Sequence, residues 1–259
     1  MRNFKSAAIR KGLALLALAG FWVVPAGAAE FSSAQTQEIQ GIIKSYLIGH
    51  PEVLRDVQSE LDRREKEAAA QEREKSVTDN ASVIFNSPYQ AVYGNANGKI
   101  SLVEFFDYNC PYCKVTMGDM DKLHAQFPDL RIVLKDFPVL GPGSVEAAKV
   151  ARAVAVQLSG DKYWKFHELL LGEKRHIGKA EALAAAQNSG VDMTKLAADM
   201  AAKPVEEGIS QVMQVADKLN LTGTPSFVIG NDVVVGAVGF DTLKLKVESM
   251  EKCGKTTCS

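Results

Sequence analysis

Cysteine is scarce in this chain. Its four residues fall in two groups far apart, Cys110 with Cys113 and Cys253 with Cys258. A structural zinc site needs two further ligands at matching spacing. Cys253 and Cys258 stand too far apart for the usual knuckle, and no histidine pair lies beside either. No tract rich in methionine or histidine occurs, which counts against a dedicated copper(I) carrier. The apolar run from Gly12 to Val24 has thirteen residues, too few to cross a bilayer. With a formal charge of −1 and no basic stripe, the chain is poorly suited to nucleic acid.

What is present begins with a leader-like stretch. Arg2, Lys5, Arg10 and Lys11 form a basic start, Gly12 to Val24 an apolar centre, and Ala26-Gly-Ala28 a small-residue cleavage site. This layout predicts a signal peptide over residues 1–28 and a periplasmic destination. No cysteine lies near the cleavage site, which argues against a lipid anchor. Removing the segment takes four positive charges and no acidic residue, so the mature charge is −5. Export also lets disulfides persist.

Residues 29–86 read as a helical arm. Ser32 or Ser33 caps a first helix with Ile39, Ile42, Ile43, Tyr46 and Leu47 on one face. Gly49-His50-Pro51 interrupts it, and a second helix carries Val53, Leu54, Val57 and Leu61. From Asp62 to Lys75 ten of fourteen residues are charged and the only apolar ones are alanines, too little apolar surface for a core of its own. The apolar patch over residues 32–61 either lies on its own domain or associates with other copies of the chain. An exposed face of this size favours association into a homo-oligomer.

The stretch that organises the rest is Lys99-Ile-Ser-Leu-Val-Glu-Phe-Phe-Asp-Tyr-Asn-Cys110-Pro-Tyr-Cys113-Lys. Ile100 to Phe106 is short, β-branched and aromatic, and reads as a buried strand. Pro111 stands where a helix starts, a position at which its missing N–H costs nothing. The strand therefore delivers Cys110 to a helix N-terminus, where unpaired amides and the helix dipole favour a thiolate. Strand, Cys-x-x-Cys and helix in that order mark a thioredoxin-like redox site.

A helix to Pro128 and a strand from Arg131 to Phe137 complete a strand–helix–strand unit with parallel strands. Residues 142–203 read as an alanine-rich helical insertion, with Tyr163, Trp164, Phe166 and His167 as core contacts. A helix from Val205, a strand after Thr224-Pro225, a hairpin at Gly230-Asn231-Asp232 and a last helix to Cys253, capped by Gly254, follow. The fold class is α/β, a thioredoxin fold with an inserted helical domain in residues 87–259.

From about Pro88 to Lys252 the chain resembles the bacterial DsbA family. The matching residues are Val103-Glu-Phe-Phe-Asp-Tyr-Asn-Cys110-Pro-Tyr-Cys113 and Gly223-Thr224-Pro225-Ser-Phe-Val-Ile. The resemblance implies a cis Pro225 against the reactive cysteines. Thr224 and Pro225 then border the site that receives an extended substrate, as an added strand would. It also makes Glu104 a candidate proton partner of Cys113, against the alternative of a carboxylate held by ordinary neighbours. Pro-Tyr between the cysteines departs from the Pro-His of the best-known oxidases, so a strongly oxidising potential does not carry over. Thr224 and the arm look more like the suppressor-of-copper-sensitivity C-type proteins, the oligomeric periplasmic isomerases and the Com1-type exported members. The implied partners are misoxidised or unfolded exported proteins and a membrane redox protein, with no cofactor.

Cys253 and Cys258 lie outside the shared pattern. A bond between them would close a short loop worth about 2 kcal/mol. A second redox pair or a soft-metal site is the alternative. For the whole chain the expectation is a disulfide isomerase or reductase using Cys110 and Cys113. A monomeric dithiol oxidase or a copper(I)-sequestering thiol protein are the competing readings.

Overall fold

The structure, a computed structural model, describes residues 31–258. The expected signal segment, residues 1–28, lies outside the described residues. The chain divides into two units, one ending at Glu60 and the other starting at Leu61.

In the first unit, α1 (Ser33–Gly49) starts at Ser32, whose side chain and that of Gln35 cap each other's backbone amides. Helix α2 (Glu52–Asp79) starts just after Pro51. Of the apolar residues expected on one face, Ile39, Ile42, Ile43, Tyr46, Leu54 and Val57 are exposed, while Leu47 and Val53 are half-buried. Among the described residues no helix is long and apolar enough to cross a membrane.

The second unit is built on a five-stranded sheet of order β1-β3-β2-β4-β5. The strands are β1 (Ala91–Gly94), β2 (Ile100–Phe106), β3 (Leu130–Asp136), β4 (Ser226–Ile229) and β5 (Asp232–Val235). Only β2 and β3 run parallel, joined through α4 (Pro111–Gln126). Between β3 and β4 lie α5 (Pro142–Gln157), α6 (Gly160–Leu171), α7 (Lys179–Asn188), α8 (Met193–Met200) and α9 (Lys203–Lys218). Helix α10 (Phe240–Cys253) ends at Gly254, which takes the left-handed conformation at φ 70°.

Strand side chains alternate between the two faces of the sheet. Leu102 and Phe106 join the core containing Met120, Leu123 and the helical insertion. Val103 and Phe105 join a second core with Val212, Val215 and Leu219 of the α9 segment. Tyr163, Trp164, Phe166 and His167 are buried in the helical layer. Burial holds His167 near pKa 3, so it is neutral.

The boundary between arm and domain differs from the one read in the sequence. Val77 of α2 and Ile84 of α3 (Ala81–Asn86) are fully buried in the second core. Lys135 Nζ donates to the Val83 carbonyl at 2.7 Å, and Arg131 and Gln90 donate to that of Phe85 at 2.8 and 2.6 Å. Val77, alone near the end of a charged helix, and Ile84, in a helix of six residues, leave little trace as periodicity. Basic side chains on β3 meet carbonyls at the end of α3, as they do at a helix C-terminus generally. Residues 61–86 therefore belong with the globular unit. Ile84→Ala is expected to cost about 2–5 kcal/mol in urea unfolding, a loss that a mere spacer would not show.

Candidate active site

The central strand β2 ends at Phe106, and Asp107-Tyr108-Asn109 turns the chain into α4. The Asp107 carboxylate accepts from the Asn109 amide at 2.8 Å, and its carbonyl from the Cys110 amide at 3.0 Å. Cys110 is the N-cap of α4, in extended conformation, and Pro111 opens the helix. Cys110 retains 3% exposure, while Cys113, one turn into the helix, retains none.

From the other side comes the β4 segment. The Thr224–Pro225 peptide is cis. The Cys110 Sγ lies 3.1 Å from the Thr224 carbonyl oxygen, to which it donates when protonated. The sequence-predicted residues Cys110, Cys113, Thr224 and Pro225 thus meet at the end of β2. Tyr112 and Val115 are exposed on the first turns of α4.

The two sulfurs differ sharply. A hydrogen bond from the Cys113 thiol lowers the Cys110 pKa to about 6, against the partial opposition of burial. A bond from the Thr224 side chain and the amides of Cys113 and Tyr112 lower it further. Burial pushes Cys113 far up, and its bond to Cys110 and the charge of Glu104 add to this. At neutral pH Cys110 is a thiolate and Cys113 a thiol. The outer sulfur is the nucleophile and the inner one holds a proton in reserve.

Glu104 sits on β2 beneath the pair, 2% exposed. Alternation along the strand turns it toward α4, where Thr116 Oγ1 donates to its carboxyl at 3.0 Å. Burial raises its pKa to about 8; Thr116 acts against this, while the charges of Cys110 and Asp119 add to it. A carboxyl poised near neutrality can take or return a thiol proton.

Two residues of the motif escaped functional assignment from sequence. The buried Asp107 carboxylate also accepts from the amides of Val139 and Leu140 at 2.8 and 2.9 Å and from Ser144 Oγ at 2.7 Å. Asn109 Oδ1 accepts from the Ile177 amide at 2.8 Å, and its Nδ2 donates to the Ile177 carbonyl at 2.9 Å. Together they tie the insertion and the loop before α5 to the cysteine turn. The signal was an Asx-turn pattern, Asp-x-Asn ahead of a helix cap.

Cys253 and Cys258 are bonded to each other, with Cα atoms 6.2 Å apart. Among the described residues no cluster of three metal-ligating side chains forms. A cavity of about 490 Å³ lies by Lys99, Ile100 and Leu130, at the opposite end of β2 from the cysteines.

A family model of DSBA-like thioredoxin domains matches residues 101–248, more than half of the chain, and the chain belongs to that family. Residues 35–68 match a model of the copper resistance protein ScsC N-terminal domain. A solved thioredoxin-like oxidoreductase from Silicibacter pomeroyi is 38% identical, with a TM-score of 0.62 over 66% of this chain and 98% of its own. A linker-deletion mutant of Proteus mirabilis ScsC is 25% identical, with a TM-score of 0.66 over 87% of this chain and 99% of its own. Disulfide bond formation protein D of Bacillus subtilis is 28% identical over 172 residues, covering 61% of this chain and 76% of that protein. The chain also matches the Na(+)/H(+) antiporter NhaA 3 of Salinispora tropica, 26% identical over 160 residues. That match takes in 61% of this chain but spans only 24% of the antiporter's length.

Two outcomes follow from the charges. Thiolate absorbance of the reduced protein should titrate near pH 6, and Cys113→Ala, which removes the main donor, should raise the midpoint by about 1–2 pH units. Because the folded pKa lies below 9, the reduced fold gains stability from this group above pH 9 and loses it as pH falls through about 6. For Glu104 the sign is opposite, since its folded pKa lies above 4.5. Its ionisation costs stability progressively as pH rises from 4.5 through about 8. Glu104→Gln should therefore gain melting temperature relative to the parent as pH is raised across that window.

Proposed function

We propose that the chain is an exported thiol–disulfide oxidoreductase acting on protein substrates, in which Cys110 exchanges and Cys113 resolves. The observation that carries this is Cys110 at the N-terminus of α4, held against the Thr224 carbonyl beside the cis Pro225 with the fully buried Cys113 one turn behind it. The family to which the chain belongs supports the reaction class, and the leader-like residues 1–28 support export.

The Cys110 thiolate attacks one sulfur of a substrate disulfide. The substrate S–S bond breaks, a mixed disulfide forms, and the second substrate sulfur leaves as a thiolate. If another substrate thiolate attacks the substrate sulfur of the mixed disulfide, Cys110 is released and the substrate is isomerised with no net oxidation. If Cys113 attacks Cys110, the substrate leaves reduced and the enzyme carries the disulfide. Run in reverse, the same steps oxidise a dithiol. A membrane reductant that keeps the pair reduced selects isomerisation.

We further propose that residues 32–61 associate copies of the chain, which would set several thiolates around one substrate and favour reshuffling. The exposed apolar side chains of α1 and early α2 support this, as does the match of that stretch to the ScsC N-terminal family. A chain beginning at Leu61 keeps Val77 and Ile84 and is the appropriate comparison. Relative to the mature protein, it should sediment as a monomer and lose rescue of scrambled disulfides while still oxidising thiols. Identical masses would end the association reading. Undiminished rescue by Cys110→Ala would end the catalytic one.

A further inference from the structure

We infer that Thr116 is the positioning residue that keeps Glu104 engaged in both of its protonation states while the proton of Cys113 is transferred. This rests on Glu104 being the proton partner of Cys113. The Thr116 hydroxyl lies 3.0 Å from Glu104 Oε1 and 3.0 Å from the Cys113 carbonyl oxygen, and it is fully buried. Its single proton serves one acceptor at a time. With Glu104 ionised, the hydroxyl donates to the carboxylate, a charge-assisted bond. With Glu104 protonated, the hydroxyl turns its hydrogen to the Cys113 carbonyl and its oxygen accepts from the carboxylic acid. A hydroxyl at this point satisfies the buried carboxyl before and after transfer, which no aliphatic side chain can do.

The surroundings leave little else to share that task. Across β2, the partners of Glu104 are Leu134 and Phe227, both apolar and buried. From α4, the charges acting on it are those of Cys110 and Asp119, and Leu243 and Val247 of α10 lie in the same core. Among the described residues the hydrogen bond to its carboxyl comes from Thr116 alone.

In the resolving step, the Cys113 proton passes to the Glu104 carboxylate and the new thiolate attacks Cys110. The Cys110–substrate bond breaks, the Cys110–Cys113 bond forms, and the substrate sulfur leaves as a thiolate. Losing the Thr116 bond leaves fewer ionised carboxylates at a given pH, because that bond favours the charged form.

The test is the single-turnover rate of mixed-disulfide resolution from pH 5 to 10 in the full mature chain. Thr116→Val is expected to move the midpoint up by about one pH unit and to slow resolution about 5–10-fold at pH 7, and Thr116→Ser to restore both. Titration of the Glu104 carboxyl by carbon-13 NMR in Thr116→Ala should show the same upward shift. An unchanged profile in Thr116→Val, or equal impairment in Thr116→Ser, overturns the role of Thr116. If Glu104→Gln removes the pH step while Thr116→Val leaves it intact, the Thr116 inference alone fails. If Glu104→Gln leaves the step in place, the proton role of Glu104 fails first and takes the inference with it.

Discussion

Two thiols of one chemical type, three residues apart, are made unlike each other by where β2 hands over to α4. Cys110 stands at the end of the helix, against its free amides, and accepts a hydrogen bond from Cys113. Cys113 faces the core, where burial opposes its ionisation. One hydrogen bond thus does two things, stabilising the charge on the outer sulfur and holding the proton on the inner one. A helix starting one residue later would remove both effects, because Cys110 would no longer be the cap.

The rest of the second unit holds that handover in place. The parallel β2–β3 pair fixes the end of the central strand, and the antiparallel β4 brings Thr224 and Pro225 to it. Asp107 and Asn109 then fasten the α5 loop and the α7 approach to the turn. Buried polar groups so fully paired specify one arrangement. The buried Asp136–Arg152 pair at 3.3 Å ties the sheet to α5 on one face, and Lys135, on the opposite face, ties it to the Val83 carbonyl of α3. Burial pulls Lys135 down to a pKa of about 7, so it is satisfied by acceptors rather than by full charge.

The chemistry was legible because it is written in short range. Strand periodicity, Pro111 and the Cys-x-x-Cys spacing are local, and they place both sulfurs without knowledge of any long-range contact. Thr224 and Pro225 lie 111 or more positions beyond Cys113 in sequence, and only resemblance joined them to the site. The Asp-x-Asn spacing of Asp107 and Asn109 signals only a local turn, and the partners through which these two and Thr116 act lie on other elements or on the next turn. The burial of Val77 and Ile84 was hidden for the opposite reason. Val77 is a lone apolar position near the end of a charged helix and Ile84 sits in a helix of six residues, and the sheet that receives them lies further along the chain.

The asymmetry of the sulfurs supports the proposed order of use, Cys110 before Cys113, and under the proposed association the arm would act on the outcome by bringing sites together. The most direct test is to incubate reduced Cys113→Ala protein with a disulfide-bonded substrate and map the adduct by mass spectrometry. The account requires a stable mixed disulfide at Cys110, which Cys110→Ala abolishes. An adduct at Cys113 in Cys110→Ala of equal yield, or no adduct in either variant, would contradict it.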